Sequence, residues 1–214
     1  MLEKKLSRAQ TMGEEIANSI SHGVGALLAV AGAAPLVVRG VMSGSSLAVF
    51  SLAAYGASLI LLYTASTVYH AVRAPAVKRA LRVMDHCSIF ILILGTYIPM
   101  SLLVVGGRTG WMLFLTNTTL AAVGITLNAI DLKRFDKFSL VLYALMGWLV
   151  VLALGAIIEA LPPLGLALLT AGGVAYTAGI LFYKSQKRYM HFVWHLFVLA
   201  GSILQYICIA LYCV

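Results

Sequence analysis

Two histidines four residues apart, His191 and His195, lie in the segment KRYMHFVWHL at the start of a long apolar run. Residues at i and i+4 share one face of a helix, so both imidazoles can point at one ion. His70 ends an earlier apolar run, and Asp85 begins the next one. Neutral imidazole is a common ligand of Zn²⁺. The spacing therefore predicts a zinc site made by the three histidines, with Asp85 beside it.

Other metal sites fit these residues less well. Five histidines are too few for a membrane di-iron oxygenase, and a haem held by two histidines needs only one ring on each facing helix. His86 and Cys87 are further candidate ligands, but on a helix they point roughly 100° and 200° away from Asp85. Ser66 precedes His70 by four residues and shares its face. Zinc remains the best choice, with Ser66 near it.

The elements that must position these side chains are membrane helices. Of the 214 residues, 62% are hydrophobic and only 10% are charged, and the mean hydropathy is +0.98. A bilayer core needs about 20 apolar residues for each crossing, and an isolated spanning segment must be helical. The sequence predicts an all-α bundle of seven spans in one domain, 1–214, with spans at 17–38, 46–71, 83–105, 110–130, 139–158, 163–183 and 190–213.

The positions of the basic residues predict the orientation of this bundle, because cytoplasmic flanks carry the excess of Lys and Arg. Thirteen of the 15 fall at the N-terminus and in the second, fourth and sixth predicted loops: Lys4, Lys5, Arg8, Arg73, Lys78, Arg79, Arg82, Lys133, Arg134, Lys137, Lys184, Lys187 and Arg188. Only Arg39 and Arg108 fall on the other side. We expect a multi-pass protein of the cell membrane with a short cytoplasmic segment, 1–15, and an external C-terminus. The net charge of +8 is then topological, and no nucleic-acid partner is expected.

Several local features qualify this scheme. The segment ALLAVAGAAP has the apolar core and A-x-A of a cleaved signal peptide, but Glu14 and Glu15 precede it where such peptides are basic. Three cysteines, Cys87, Cys208 and Cys213, lie in apolar surroundings as expected for buried reduced thiols.

Pro99 removes a backbone donor from the third span and predicts a kink that opens a cavity for an acyl chain. Small residues such as Ala175 and Gly179 suit helix packing, within one bundle or between two copies.

These motifs together resemble the bacterial hemolysin III family, within the wider progestin and adipoQ receptor (PAQR) family. The matches are Glu15-x-x-Asn18-x-x-x-His22, Ser66-x-x-x-His70 with Asp85, and His191-x-x-x-His195. The resemblance implies seven helices with the N-terminus inside and a zinc ion bound by His70, His191 and His195. It also implies that Asp85 and Ser66 lie next to the metal, through its bound water. The same motifs are similar to those of alkaline ceramidases, which implies hydrolysis of lipid amide bonds.

Roles follow from this chemistry. Three neutral histidines leave one tetrahedral position open, as in catalytic zinc sites. Asp85 and Ser66 are the expected catalytic residues, the first orienting and deprotonating water and the second donating to the developing oxyanion. Glu15, Asn18 and His22 are expected to lie around the ligands as supporting groups or to cap a helix, and Asn18 suits a simple helix-start role equally well. Membrane lipids, among them an N-acyl lipid substrate, are the expected partners.

Two other functions stay open at this stage. A non-catalytic sensor or receptor-like protein would use zinc to tie helices together, with Asp85 filling the fourth position. A hemolysin or channel would need a polar path, yet the outer halves of the spans offer little beyond Thr116, Asn117, Thr118 and Gln205. The predicted outward loops have about seven, four and four residues, too few to hold a protein hormone.

Overall fold

The protein is all-helical in the computed structural model, which describes residues 9–213. No strand occurs in that range. The helices are α1 Met12–Met42, α2 Ser46–Ala71, α3 Pro75–Pro99, α4 Gly107–Trp148, α5 Leu154–Ala160, α6 Pro163–Tyr183 and α7 Met190–Tyr212. A π-helical segment, Met100–Val105, follows α3, and a 3₁₀ segment, Leu149–Ala153, joins α4 to α5. The basic residues Lys4, Lys5 and Arg8, with Val214, lie outside the described residues.

Six continuous helical runs in the described chain are long and apolar enough to cross a membrane. The predicted second, sixth and seventh spans coincide with α2, α6 and α7 to within a residue. The predicted fourth and fifth spans fall in one run, Gly107–Ala160. The sequence DLKRFDK, expected to be a loop, is helical apart from Asp131, whose φ is −157° and ψ 89°.

Asp131 explains why no loop is needed there. Its Oδ1 accepts a hydrogen bond from the backbone N–H of Arg134 at 3.0 Å, three residues later. This is the geometry of a helix N-cap, in which a residue with extended dihedrals satisfies a free amide of the following turn. One helical segment therefore ends at Asp131 and the next begins at once. Lys133, Arg134 and Lys137 lie on that next segment.

Two other helices begin earlier than the hydropathy predicts. Thr11 and Glu14 form a capping box, since each side chain accepts from the other's backbone amide, and α1 starts at Met12 instead of residue 17. Proline is favoured in the first turn of a helix, and Pro75 starts α3 eight residues before the predicted span. As a result Lys78, Arg79 and Arg82, predicted in a loop, lie on the first turns of α3.

Pro99 lies where the α-helix passes into a π-helix, and the kink predicted there stays a prediction. Without an N–H, Pro99 cannot donate to the preceding turn, and the chain continues as π-helix from Met100. Just before it, the Tyr97 hydroxyl donates to Gly147 O at 3.0 Å and accepts from Val150 N–H at 2.7 Å. These two bonds tie α3 to the point where α4 passes into the 3₁₀ segment.

Close helix contacts depend on glycines. Gly40 of α1 lies against the backbone of Val49 in α2, where a Cβ would be 2.9 Å from the Val49 Cα. Gly179 of α6 lies against Trp194 and Phe197 of α7, so this small residue packs helices within one chain. The helix α2 lies inside the bundle, with Tyr55 and Tyr63 almost fully buried.

Gly110 supports the π-helical segment, and its replacement gives a test of the fold. A Cβ at Gly110 would come within van der Waals radii of the Ser101 carbonyl oxygen, which is backbone and accepts from Gly106 N–H. We expect Gly110→Ala to lower the free energy of unfolding by ~1–3 kcal/mol through overpacking. Thermal unfolding in detergent measures the effect. Gly147→Ala, in the same helix with no atom within 4 Å of its Cβ, is the control and should change stability by less than ~1 kcal/mol. Equal behaviour of the two variants would contradict this packing.

Candidate metal centre

Three histidines meet at one end of the bundle, where α1, α3 and α7 begin and α2 ends. His70 comes from the last turn of α2, while His191 and His195 lie one turn apart at the start of α7. One ring nitrogen from each lies within 4.8 Å of the other two. The ring centroids are 4.9 to 5.3 Å apart. The structure thus brings together the three side chains predicted as ligands, and the group could hold a metal ion.

The free nitrogens of this cluster fit a cation. The Nε2 atoms of His70, His191 and His195 are all buried, and within residues 9–213 none has a hydrogen-bond partner. Buried polar atoms are normally paired, because leaving one unpaired costs about 1–3 kcal/mol. Three such atoms in one cluster are accounted for if their lone pairs face a common metal ion.

The opposite nitrogens of two rings fix which tautomer they adopt. Nδ1 of His70 donates to Glu15 Oε2 at 2.7 Å, and Glu15 Oε1 also pairs with Lys78 Nζ at 3.0 Å. Nδ1 of His195 donates to the Asn18 carbonyl at 3.3 Å and lies 3.2 Å from Ser21 Oγ. A carboxylate oxygen and a carbonyl oxygen can both only accept. In both rings, therefore, the proton is on Nδ1 and the lone pair is on Nε2. Metal-binding histidines are commonly oriented by such partners.

The helix α1 supplies these partners, so the position of its first turns determines how the histidine rings are oriented. Glu14, besides closing the capping box, accepts the backbone N–H of Tyr189 at 2.8 Å through Oε1. Tyr189 has a φ of +62°, in the left-handed region, and immediately precedes α7. Asn18 lies well inside α1, so it does not cap the helix. Its side-chain Nδ2 is 3.5 Å from His70 Nδ1 and donates to Gln10 at 2.6 Å.

His22 packs directly against one of the predicted ligands. Its ring stacks on His195, with centroids 3.6 Å apart and planes 11° from parallel. It is also edge-on to Tyr63 at 5.0 Å. Both of its ring nitrogens are buried, with no hydrogen-bond partner in the described chain. His22 therefore supports a ligand ring by packing and neither caps a helix nor hydrogen-bonds a ligand.

Asp85 and Ser66 lie close to each other. The Ser66 hydroxyl is near enough to the Asp85 carboxylate to favour its charged form, and both residues are buried. Asp85 is not among the residues whose ligand atoms cluster within 4.8 Å. His86 lies 3.8 Å from Asp85 Oδ2, but its Nδ1 is 2.9 Å from the Arg82 carbonyl, and Cys87 Sγ donates to Ile125 O. Neither His86 nor Cys87 joins the cluster.

An apolar cavity leads away from this end of the bundle. Its volume is about 260 Å³, and it lies between α3, the later part of α4, α6 and α7. Asp85 and His22 line one end, and Leu154, Leu166 and Gln205 line the other. The cavity follows α3 past Pro99 to Met100, the region where the kink was predicted. Its walls suit a hydrocarbon chain.

Sequence reasoning missed several residues that hold the site. Ser21, Lys78, Glu14 and Tyr189 contact the ligands, their partners or the start of α7, and none was singled out. One signal was available for α1: Glu14, Asn18, Ser21 and Gly25 recur at helical spacing and are all buried. The contact between Glu14 and Tyr189 joins residues 175 apart and has no local signal.

Comparisons with known proteins place this chain among related sequences. Residues 10–206 match a family model described as Haemolysin-III related. Hemolysin-3 of Bacillus cereus is 38% identical over 213 residues, covering 99% of this chain and 97% of that protein. The Hemolysin-3 homolog of Bacillus subtilis is 37% identical over 205 residues, covering 95% and 96%. The human Monocyte to macrophage differentiation factor is 28% identical over 165 residues, covering 71% and 66%.

The bond from His70 to Glu15 generates a test of the centre. Glu15→Gln keeps the shape of the side chain but removes the charge that orients and polarises the His70 ring. We expect affinity for added Zn²⁺ to fall by ~10–100-fold, the usual effect of losing such a partner. Competition with a fluorescent zinc chelator measures the affinity of the purified protein. Glu159→Gln, at an exposed position in α5, is the matched control and should bind as the wild type does. Unchanged affinity in Glu15→Gln would contradict this role.

Proposed function

The chain belongs to the hemolysin III family, within the wider progestin and adipoQ receptor family, and from this membership and the histidine cluster we propose that it is a zinc-dependent hydrolase of amide bonds in membrane lipids. It is a multi-pass integral membrane protein of the cell membrane. The observation that carries the proposal is the set of three unpaired Nε2 atoms, next to a buried carboxylate and an apolar cavity.

The three histidines are the proposed zinc ligands. His70, His191 and His195 each present Nε2, and two of them are held in the required tautomer by α1. Zinc in a site with three protein ligands supplies a Lewis acid for a carbonyl and lowers the pKa of water. Zn²⁺ is preferred over harder cations because imidazole nitrogen, and not carboxylate oxygen, dominates the donor set.

Asp85 is the proposed general base. Its carboxylate lines the cavity beside the cluster and is oriented by the Ser66 hydroxyl. It accepts a proton from water as the hydroxyl adds to the acyl carbon, and it returns that proton to the nitrogen as the C–N bond breaks. The products are a fatty acid and an amine. In this proposal Ser66 acts on Asp85, and its expected role as a donor to the oxyanion stays a prediction.

Seven spans with the N-terminus inside are the proposed topology. The run Gly107–Ala160 has 54 residues and would be ~81 Å long if straight, far more than a core of ~30 Å. Asp131 breaks it near the middle, between two apolar stretches. Two crossings from this run, with the other five helical runs, give seven. Thirteen of 15 basic residues then lie on the cytoplasmic side.

Reporter fusions test this topology in a bacterial host. With seven spans and an internal N-terminus, alkaline phosphatase fused after Val214 should be active and a fluorescent protein at the same place dark. Fusions after Gln186, following the sixth span, should show the reverse pattern. A fluorescent protein that is bright after Val214 would contradict the odd number of spans or the orientation.

Hydrolysis itself is tested with two variants that separate metal binding from proton transfer. Purified protein is incubated with vesicles containing ceramides or other N-acyl lipids, and released fatty acid and zinc per chain are measured. We expect His191→Ala to lose both zinc and activity. Asp85→Asn should keep zinc but release fatty acid ~10²–10⁴-fold more slowly, since it removes a general base. His86→Ala, the neighbouring histidine outside the cluster, is the control for metal content and should retain zinc.

The outcomes distinguish catalysis from a structural metal. Equal release by wild type, His191→Ala and Asp85→Asn would contradict the hydrolase. If the zinc-loaded protein releases nothing, and removal of zinc with a chelator lowers its unfolding temperature strongly, the metal serves to tie α2 to α7. A catalytic ion leaves the bundle largely intact on removal, because α1 and the α2 core pack independently of it.

A further inference from the structure

The apolar cavity is lined by a buried amide at the end far from the metal centre. Gln205, on α7, lines that end and is only 5% exposed. Its Nε2 donates to the Leu169 carbonyl of α6 at 3.0 Å. Its Oε1 is buried, and no hydrogen-bond partner for it exists among the described residues. The amide orientation is fixed, because a flipped amide would place two oxygens against each other.

The bundle is built to accommodate this side chain. Gly172 of α6 lies under it, and a Cβ there would be 2.8 Å from Gln205 Nε2 and 3.0 Å from its Cγ. A leucine would fill the same space without leaving a polar atom unpaired, and the cavity walls near this end are mainly apolar, with Leu154, Ile157, Leu166 and Leu169 among them. An unpaired buried acceptor is unfavourable unless something in the cavity donates to it.

The distance from Gln205 to the metal centre defines where along a bound acyl chain a group that donates to Oε1 would lie. Gln205 follows the ligand His195 by ten residues on the same helix, which places it ~15 Å farther along the axis. An extended hydrocarbon chain advances ~1.3 Å per carbon, given C–C bonds near ~1.5 Å in staggered conformation. A chain whose carbonyl lies at the metal centre would therefore pass Gln205 at about its tenth to twelfth carbon.

We propose that Gln205 is a specificity-determining residue that selects acyl chains carrying a hydroxyl group about ten to twelve carbons from the carbonyl. The inference rests on the proposed function, because it assumes that an acyl chain occupies the cavity. A hydroxyl is the fitting donor: the Gln205 oxygen can only accept, and a charged ammonium would be too costly among these leucines. Unsubstituted chains still enter, but they leave Oε1 unpaired.

A binding measurement tests this without requiring turnover. The zinc-loaded protein in detergent is titrated with octadecanoic acid, with its derivative hydroxylated near the twelfth carbon, and with its derivative hydroxylated next to the carboxyl, each displacing a fluorescent fatty acid. We expect the mid-chain hydroxyl to tighten binding about tenfold over the unsubstituted acid, as one buried hydrogen bond would. The hydroxyl next to the carboxyl should give no such gain.

Variants identify the residue responsible. Gln205→Leu should abolish the preference for the mid-chain hydroxyl and bind the unsubstituted acid at least as tightly as wild type does. Gln205→Met serves the same purpose if the leucine variant does not fold. Asn117→Leu is the control, because Asn117 is an equally buried amide, unpaired within the described chain, that does not line the cavity; its preference should match wild type.

The outcomes separate this inference from the proposed function. The role of Gln205 would be overturned if the wild type bound the mid-chain hydroxy acid and the unsubstituted acid equally well, as it would with a water molecule on Oε1. It would also be overturned if the preference survived in Gln205→Leu. If the three fatty acids bind with equal affinity, the proposed hydrolase function is not contradicted. Failure of all three acids to displace the probe would overturn both, since the cavity would not hold acyl chains.

Discussion

Inside a bilayer, a polar atom without a partner in the protein costs several kcal/mol, because water is not there to hydrogen-bond it. Imidazole is a demanding case, since each ring has two nitrogens to satisfy. His70 and His195 each pair one nitrogen with α1, and with His191 they leave three Nε2 atoms buried together. A shared cation would resolve this, and the partners that α1 supplies to His70 and His195 suit such a site.

The arrangement depends on α1 more than on the helices that carry the ligands. Its first turns contact both α2, through Glu15, and α7, through Asn18 and Ser21. Glu14 also holds Tyr189 in the left-handed conformation, which costs a non-glycine residue ~1–2 kcal/mol. The direction in which α7 starts, and so the position of its first histidine, is thereby coupled to the start of α1. Ligands from distant parts of the chain meet because one helix contacts both.

The sequence predicted those features that have a local cause. The spacing of His191 and His195 and the position of His70 at a helix end were enough to group the ligands, and hydropathy located α2, α6 and α7. The helix break at Asp131 was predicted to be a loop. In a hydropathy profile, a charged run looks the same whether it lies at the start of a helix or in a loop between two helices. The contacts of Ser66 with Asp85 and of Gln205 with Leu169 join different helices. Such contacts depend on packing, which spacing within one helix does not encode.

Two cavities reach the end of the bundle that holds the histidine cluster, and they differ in their walls. His70 and Glu15 line a second cavity of about 470 Å³, whose other walls include Gln10, Arg73 and Lys78. Asp85 and His22 line the apolar cavity instead. Hydrolysis of a lipid amide needs water and a hydrocarbon chain at the same carbonyl, and these two reactants do not share a route. In the proposed hydrolase, the cavity with charged residues among its walls would give water its route, and the apolar cavity lined by Asp85 would give the hydrocarbon chain another.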